Sequence, residues 1–329
     1  MLVLDSIRKA QNIILSTHKS SDGDGLGSEF AMYFALKKLN KTVHFVHSDT
    51  IPDRYHFLTA NIPDSAFFGS VEECPQVPDL VLIFDTHDPK LCSPLYERTI
   101  AHGKPVFFID HHVKTDYPTN SLHTFIDEMA SCTGEIVYNL IKQLPVSLDQ
   151  NIAAALYASL IFDTQNFRLI RDSSRPFLMA SELLAYGFDH EKIQANLFAN
   201  WNIAKMNYLS YLITQVVYKN NDSIAIIKIL KSDLNRFKVE TDQVSDLVDL
   251  FMSIDTVSVA VVIREEHALY HKLSFRSRAP IEVLSWARAF NGGGHNCSAG
   301  AWVEKSMPAI EEQIETLIQT LPLKKTGTL

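Results

Sequence analysis

The sequence lacks the cysteine spacing that holds zinc fingers or small disulfide-bonded domains together. It has only 4 cysteines among 329 residues, and no two of them form a C-x-x-C pair. They are Cys74, Cys92, Cys132 and Cys297. Reduced thiols in a cytosolic protein are the simpler interpretation, because four scattered cysteines offer neither the paired spacing of a zinc site nor the cysteine density of a disulfide framework.

Long apolar runs and a signal peptide are missing as well. No stretch approaches the roughly 18 apolar residues that a membrane-spanning helix needs. Residues 1–17 carry Asp5, Arg8 and Lys9 without the apolar central segment of a signal peptide. We therefore expect a soluble, cytoplasmic protein with no membrane partner.

Positive charge is also scarce. The chain has 30 Lys and Arg against 38 Asp and Glu, which gives a formal net charge of −8. A protein that coats long DNA needs many cationic contacts to phosphates, so this balance argues against long DNA as a partner. A short RNA or nucleotide substrate stays compatible, because one site can be positive on an acidic protein. The sequence does not determine the oligomeric state, and a homodimer is left open.

Apolar residues are plentiful, at 46% of a length that suggests two domains. Four short apolar stretches alternate with helical patterns in the first half of the chain, which predicts an α/β domain with a parallel, doubly wound sheet. They are residues 12–17, 42–46, 79–84 and 105–109. Beyond residue 218 the pattern changes to strands with a hairpin that we expect to turn at residues 265–267. We expect a helical linker before this change of pattern and a smaller C-terminal α/β domain after it.

Side chains that can bind metal follow directly after apolar stretches. Three predicted strands and one predicted apolar helix, at residues 151–162, end in this way. The residues are His18, Asp85, Asp110, His111, His112 and Asp163. Ligands of parallel sheets gather at the carboxyl ends of the strands, so we expect these side chains on one edge.

A glycine-rich segment at residues 18–28 adds Asp22 and Asp24 to this set. We predict a loop here, in which glycine allows tight turns, followed by a helix over residues 29–39. A solvent-exposed Asp/Gly turn is the alternative. The segment lacks the glutamate of an EF-hand and the Gly-Lys-Ser/Thr ending of a phosphate-binding P-loop.

Several carboxylates gathered at one edge would repel one another, and two divalent cations would remove the problem. Carboxylates with imidazoles suit Mn²⁺, with Mg²⁺, Co²⁺, Fe²⁺ and Zn²⁺ as competitors. Two metals roughly 3.5–4 Å apart can hold a hydroxide that attacks phosphorus in line. The residues therefore predict a metal-dependent phosphoesterase before any family is considered.

The second domain offers groups that could bind phosphate. Arg276 and His295 are cationic or donor groups, and we expect the run Gly292–294 to expose backbone N–H groups. The alternative is a glycine-rich turn between a helix and a strand, beside a surface arginine.

These motifs together resemble those of the DHH phosphoesterase superfamily. The N-terminal match consists of Asp110-His111-His112 with His18, Asp22, Asp24, Asp85 and Asp163. The segments Lys272-Leu-Ser-Phe-Arg276-Ser277 and Gly292-Gly-Gly-His295-x-x-x-Ala299-Gly300 resemble the DHHA1 domain of the same superfamily. The resemblance implies a DHH catalytic domain at 1–190, a helical linker at 191–217 and a DHHA1 substrate-binding domain at 218–329.

The resemblance also implies roles for individual residues. One metal would be bound by His18, Asp22 and Asp85. A second metal would be bound by Asp24, Asp85, His111 and Asp163, with Asp85 bridging. His112 would face the scissile phosphate and Asp110 would orient a histidine, which makes them catalytic candidates together with Asp85. Substrate would be bound by Arg276, Ser277, Gly293, Gly294 and His295.

The branch that the chain resembles implies the activity. It degrades short oligoribonucleotides to mononucleotides and removes the 3′-phosphate of adenosine 3′,5′-bisphosphate (pAp). A phosphodiesterase of cyclic di-AMP or pApA, and an inactive nucleotide-binding regulatory protein, are the alternatives. The chain departs from the family pattern at a few positions, none of them a predicted metal ligand. These are Ser21, Gly25, His87, Asn291 and residues 296–298. His87 lies near Asp85 and could be an extra metal ligand or a hydrogen-bond donor.

Overall fold

The computed structural model describes residues 2–114, 124–170, 174–199, 201–244 and 247–319. The chain divides into two compact units, Met1–Asn200 and Trp201–Leu329. Within the described ranges, no helix has the length and apolar content needed to cross a membrane. The finer domain limits at residues 190 and 217 stay a prediction.

The first unit alternates strands and helices. Its strands are β1 Asn12–Thr17, β2 Thr42–Val46, β3 Phe67–Phe68, β4 Leu80–Phe84, β5 Val106–Asp110 and β6 Thr124–Ile126. Its helices are α1 Leu2–Lys9, α2 Gly23–Lys38, α3 Leu95–Ala101, α4 Thr133–Ile141, α5 Gln150–Asp163, α6 Arg175–Leu184 and α7 His190–Phe198. Short 3₁₀ turns lie at Asp53–Leu58, Asp64–Ala66, Val71–Glu73 and Pro89–Cys92.

The strands of the first unit form one parallel sheet in the order β3-β2-β1-β4-β5-β6. The chain moves outwards from β1 to β3 and then returns to place β4 on the other side of β1. Such a reversal leaves a crevice at the carboxyl ends of β1 and β4, where parallel α/β folds bind ligands.

Apolar residues on both faces of these strands explain why the sheet is covered on both sides. Ile13, Leu82 and Phe107 belong to a core with α2, α4 and α5. Their chain neighbours, such as Ile14 and Phe108, belong to a second core with the start of α3. Successive side chains of a strand point to opposite faces, so a continuous apolar run needs two cores. The predicted parallel, doubly wound α/β domain is therefore confirmed.

The glycine-rich segment becomes helical at Gly23, so the prediction of a loop at residues 18–28 followed by a helix at residue 29 is wrong for residues 23–28. Helix α2 begins at Gly23, and the Asp22 carboxylate caps it by accepting hydrogen bonds from the next turn. The glycines allow close packing rather than tight turning. A Cβ on Gly25 would lie 2.1 Å from Thr17 Oγ1, and one on Gly27 would lie 2.6 Å from the Ala155 carbonyl.

The second unit is built around a mixed sheet in the order β11-β12-β10-β9-β8-β7. Its strands are β7 Val217–Lys219, β8 Ile224–Ile229, β9 Val259–His267, β10 Tyr270–Ser277, β11 Gly293–His295 and β12 Ser298–Glu304. Its helices are α8 Ile203–Ile213, α9 Lys231–Phe237, α10 Leu247–Phe251, α11 Leu284–Ala289 and α12 Met307–Gln319, with a 3₁₀ turn at Thr241–Val244. Among these described strands, β8 and β9 pair in parallel and the other neighbouring strands pair antiparallel.

A hairpin of the second unit corrects one sequence prediction, and the helices on either side of the unit boundary support another. The β9–β10 hairpin turns at residues 268–269, so the predicted turn at residues 265–267 is wrong, because those residues continue β9. Helices α7 and α8 occupy most of the stretch predicted as a helical linker. The C-terminal α/β domain is confirmed as the smaller of the two.

Candidate metal centre

Three strands and two helices bring the predicted site residues to one edge of the first sheet. His18 follows β1, Asp85 follows β4, and Asp110 ends β5, just before His111 and His112. Asp22 and Asp24 lie at the N-terminus of α2, and Asp163 is the last residue of α5. All of these ends lie at or next to the crevice between β1 and β4.

The first group that could hold a cation consists of His18, Asp22 and Asp85, whose ligand atoms lie within 4.8 Å of one another. His18 Nε2 is 3.4 Å from Asp85 Oδ2 and 4.0 Å from Asp22 Oδ2. The other ring nitrogen, Nδ1, lies 2.9 Å from the Lys19 carbonyl oxygen. A carbonyl only accepts hydrogen bonds, so Nδ1 carries the proton and Nε2 has the lone pair that a metal needs.

The second group consists of Asp24, His111 and Asp163, again within 4.8 Å. His111 Nε2 is 3.5 Å from Asp24 Oδ2 and 3.5 Å from Asp163 Oδ2. His111 Nδ1 lies 3.3 Å from the Ala130 carbonyl oxygen, which favours the same tautomer as in His18. Asp24 and His111 are buried, whereas Asp163 is one-third exposed.

Asp85 lies between the two groups. Its Oδ2 atom faces His18, and its Oδ1 atom is 3.6 Å from His111 Nε2. The Asp85 backbone has a left-handed φ of 62°, directly after a buried strand. A non-glycine residue in this region is uncommon and concentrates at functional sites, where the surrounding structure enforces it.

Burial and crowding disfavour negative charge at this centre. Burial, followed by the nearby carboxylates of Asp24 and Asp22, raises the pKa of Asp85 well above its usual value. Burial likewise raises the pKa of Asp24. Divalent cations would reverse both effects, since an adjacent positive charge favours the ionised carboxylate and so offsets both the burial and the repulsion. The donor set of carboxylates and correctly protonated imidazoles therefore fits two divalent cations.

Asp110 does not belong to either group. It is fully buried, and its Oδ1 atom accepts hydrogen bonds from the His111 and His112 backbone N–H groups and from His112 Nδ1 at 2.7 Å. Its Oδ2 atom is hydrogen-bonded to His87 Nδ1. Burial would raise the pKa of Asp110, but the imidazoles of His112 and His87 outweigh it and hold that pKa well below the usual value.

The Asp110 carboxylate acts on His112 in turn. Burial opposes the charged form of His112, but Asp110 outweighs it and raises the pKa of His112 to about 9. The His112 side chain is one-third exposed, unlike the buried His111. The predicted roles of both residues in catalysis stay predictions.

Sequence reasoning missed the residues that support Asp24. The Thr133 and Gly134 backbone N–H groups, at the start of α4, donate to Asp24 at 2.8 and 3.2 Å. Ser159 Oγ donates to Asp24 Oδ1 at 2.5 Å, and Thr133 Oγ1 donates to Asp85 Oδ1 at 3.0 Å. The only sequence signal is the small-residue run Ser-Cys-Thr-Gly before a helical pattern.

The predicted substrate residues lie in the second unit. Arg276 and His295 are both paired with Ser298, from its two sides, so all three lie in one row and on one face of the sheet. Arg276 Nε donates to Asp249 Oδ1 at 3.1 Å, and Ser277 Oγ donates to the Ile281 carbonyl.

Gly293 and Gly294 belong to strand β11, paired with β12, so the expected glycine loop is instead a short edge strand. Gly294 has a φ of 130°, and a Cβ there would lie 2.6 Å from the Ser298 carbonyl oxygen. Glycine at this position therefore serves the close approach of two strands. Binding of substrate by these residues stays a prediction.

A parallel α/β domain with carboxylate and histidine groups paired at its switch point is an arrangement suited to a metal-dependent hydrolase. The DHH family N-terminal domain matches residues 12–160, and the DHHA1 domain matches residues 220–322. The chain therefore belongs to the DHH/DHHA1 phosphoesterase superfamily, as its motifs indicated.

Two curated relatives resemble the chain over most of its length. A probable bifunctional oligoribonuclease and PAP phosphatase NrnA of Streptococcus mutans is 26% identical over 303 residues, covering 91% of this chain and 92% of that protein. The bifunctional oligoribonuclease and PAP phosphatase NrnA of Bacillus subtilis is 26% identical over 307 residues, covering 91% of each.

A solved structure has the same fold. An exopolyphosphatase-related protein from Bacteroides fragilis superposes with a TM-score of 0.83 at 21% identity, covering 96% of this chain and 94% of that one. At this identity the similarity is one of fold.

Proposed function

We propose that the protein hydrolyses short oligoribonucleotides to mononucleotides and removes the 3′-phosphate of pAp. The observation that carries the proposal is Asp85, whose two oxygens face two separate His/Asp groups at the crevice of a DHH domain. The choice of substrates follows the names of relatives that match nine-tenths of the chain.

His18, Asp22 and Asp85 would hold one divalent cation, and Asp24, Asp85, His111 and Asp163 would hold the other. Mn²⁺ is our first choice, because the donors combine carboxylates with imidazoles. Bound cations of this kind supply Lewis acidity towards phosphoryl oxygens and make water a stronger nucleophile at neutral pH.

The chain's own residues would position the substrate. Asp110 fixes the His112 ring through Nδ1, so that the opposite nitrogen, Nε2, can face a phosphate oxygen. With its raised pKa, His112 would be a hydrogen-bond donor at neutral pH. In the second unit, Arg276, Ser277, Gly293, Gly294 and His295 would bind the terminal phosphate or nucleotide.

The test is product release from pAp, pApA, cyclic di-AMP and a 3-residue RNA, each with Mn²⁺ and with EDTA. We expect AMP and phosphate from pAp and mononucleotides from the RNA, with Mn²⁺ only. Faster release from pApA or cyclic di-AMP than from both of these would overturn the choice of substrate and favour the phosphodiesterase alternative.

Two further arms decide whether the site is an enzyme at all. Asp85→Ala should abolish release while the protein keeps its circular dichroism spectrum, because both groups lose a shared oxygen ligand. No release from any substrate by the wild type with Mn²⁺ bound would overturn the proposal in favour of a nucleotide-binding protein.

The location and assembly of the protein complete the proposal. We place it in the cytoplasm, and its four cysteines are free thiols, as a reducing compartment requires. Light scattering of the same preparation decides whether the homodimer that the sequence left open is formed.

A further inference from the structure

His87 is a buried residue next to the site, and neither cation group includes it. It lies two residues after Asp85, and only 6% of its side chain is exposed. Among the described residues, the groups that could hold a metal do not contain it. Its Nδ1 atom is instead hydrogen-bonded to Asp110 Oδ2.

The Asp110 carboxylate is shared between two imidazoles. Oδ1 accepts hydrogen bonds from His112 Nδ1 and from the His112 and His111 backbone N–H groups. Oδ2 serves His87. An ionised carboxylate only accepts hydrogen bonds, so both imidazoles must carry a proton on Nδ1. The two oxygens of Asp110 therefore have different partners on opposite sides, which fixes the rotation of the carboxylate.

We propose that His87 is a positioning residue, which holds the Asp110 carboxylate in the rotation that orients His112. Without His87, Oδ2 would be left buried without this donor, and the carboxylate could rotate to share the donors that Oδ1 now holds. The His112 ring would then lose its fixed direction. The catalytic consequence rests on the proposed function, in which His112 faces the scissile phosphate.

The geometry allows a sharp choice of variants. The amide nitrogen of asparagine lies as many bonds from the backbone as His Nδ1, whereas that of glutamine lies one bond further. Because His87 donates through Nδ1, His87→Asn should replace the donor and His87→Gln should not. His44→Ala is the matched control, since His44 lies on β2 with its ring edge-on to Phe68 at 4.9 Å.

We expect His87→Ala and His87→Gln to lower kcat about 10–100-fold, the usual effect of losing a partner of a site residue. KM should change less than about twofold. His87→Asn should restore kcat to within about threefold of the wild type, and His44→Ala should leave it unchanged. Wild-type kcat in His87→Ala, or equal rates for the Asn and Gln variants, would overturn the proposal.

A second readout uses the metal-free protein and needs no turnover. In ¹⁵N-resolved spectra of the imidazoles, the wild type should show protected Nδ1 protons on His87 and His112. His87→Asn should retain the His112 signal, and His87→Ala should broaden or lose it. An unchanged His112 signal in His87→Ala would refute the positioning role even if the wild type hydrolyses nothing. An inactive wild type with the expected spectra would refute only the proposed function.

Discussion

At the scale of single residues, Asp85 contributes most to the geometry of the centre. One carboxylate oxygen faces His18 Nε2 at 3.4 Å and the other faces His111 Nε2 at 3.6 Å. The side chain is only 4% exposed. Its charge is buried and surrounded by other carboxylates, so the arrangement is unfavourable without cations. A residue that is costly to the metal-free fold and central to a site is typical of functional positions.

Asp85→Asn should therefore raise the melting temperature of the metal-free protein near neutral pH. The raised pKa means that charging Asp85 destabilises the folded state as pH rises above the usual carboxyl value of about 3.9. Asparagine keeps the shape without the charge, so the gain should be near zero at about pH 4 and positive at about pH 7. Each kcal/mol gained by removing this buried charge should raise the melting temperature by about 2–4 °C.

Thermal unfolding of both proteins in EDTA, followed by circular dichroism from pH 4 to pH 7, measures this difference. Equal melting temperatures at both ends of the range would show that neither burial nor the neighbouring carboxylates penalise the charge on Asp85.

Gly27 illustrates how a residue without a side chain shapes the site. A Cβ there would lie 2.6 Å from the Ala155 carbonyl oxygen and 2.8 Å from the Ser159 backbone nitrogen, which cannot move independently of α5. Gly27→Ala should therefore destabilise the protein by about 1–3 kcal/mol. At Gly69, the nearest atom to an added Cβ is a flexible Glu73 carboxylate oxygen at 3.2 Å.

Urea unfolding of Gly27→Ala, with Gly69→Ala as the control, measures the cost of this contact. A loss of stability no larger in Gly27→Ala than in Gly69→Ala would contradict the close packing of α2 on α5.

At the scale of elements, helix ends and strand ends supply the centre together. Helix α2 contributes Asp22 and Asp24 at its N-terminus, α4 donates backbone N–H groups to Asp24, and α5 contributes Asp163 at its C-terminus. Strands β1, β2, β4 and β5 were predicted because apolar residues dominate each of them. The two short edge strands, β3 and β6, were not predicted, because two or three residues carry no pattern. The helical start of α2 was not predicted either, because three glycines have poor helix propensity. Packing of the helix against α5 outweighs that poor propensity.

Helix α5 offers a test of whether stability and site geometry can be separated. Its N-cap, Asp149, accepts a hydrogen bond from the Ile152 N–H at 3.0 Å. Asp163 lies at the other end of 14 helical residues, about 20 Å away. Asp149→Ala should cost about 1 kcal/mol of stability and leave turnover unchanged.

The control is Asp53→Ala, because the Asp53 side chain is fully exposed and should contribute little. Chemical unfolding and Mn²⁺-dependent turnover are measured on both variants. If Asp149→Ala also lowered turnover, by about the same factor as it changes the unfolding constant, the prediction would be wrong. Fraying of the first turn of α5 would then displace Asp163.

At the scale of the whole molecule, the acidic balance of the chain acquires a local explanation. Part of the net charge of −8 is concentrated in the buried carboxylates of the first unit. Cations that bind the folded state but not the unfolded chain stabilise it by about 2.7 kcal/mol at a hundredfold excess over Kd.

Mn²⁺ should accordingly raise the melting temperature of the wild type and have little effect on Asp85→Asn. Since burial and crowding raise the pKa values of Asp85 and Asp24, binding must displace protons at lower pH, and apparent affinity should increase with pH. Calorimetric titration with Mn²⁺ at pH 6 and pH 8 measures the change. A tighter Kd at pH 6 would reverse the expected sign.

The sequence by itself determined the parallel sheet, its superfamily and the residues at the strand ends. It could do so because buried parallel strands require unbroken apolar runs and their ligands collect where those runs end. Only the tertiary structure decided how these residues meet. Asp24 is held by Thr133, 109 residues away, and His87 shares Asp110 with His112 across two strands. Such contacts depend on helix packing and carboxylate rotation, which no local pattern of residues encodes.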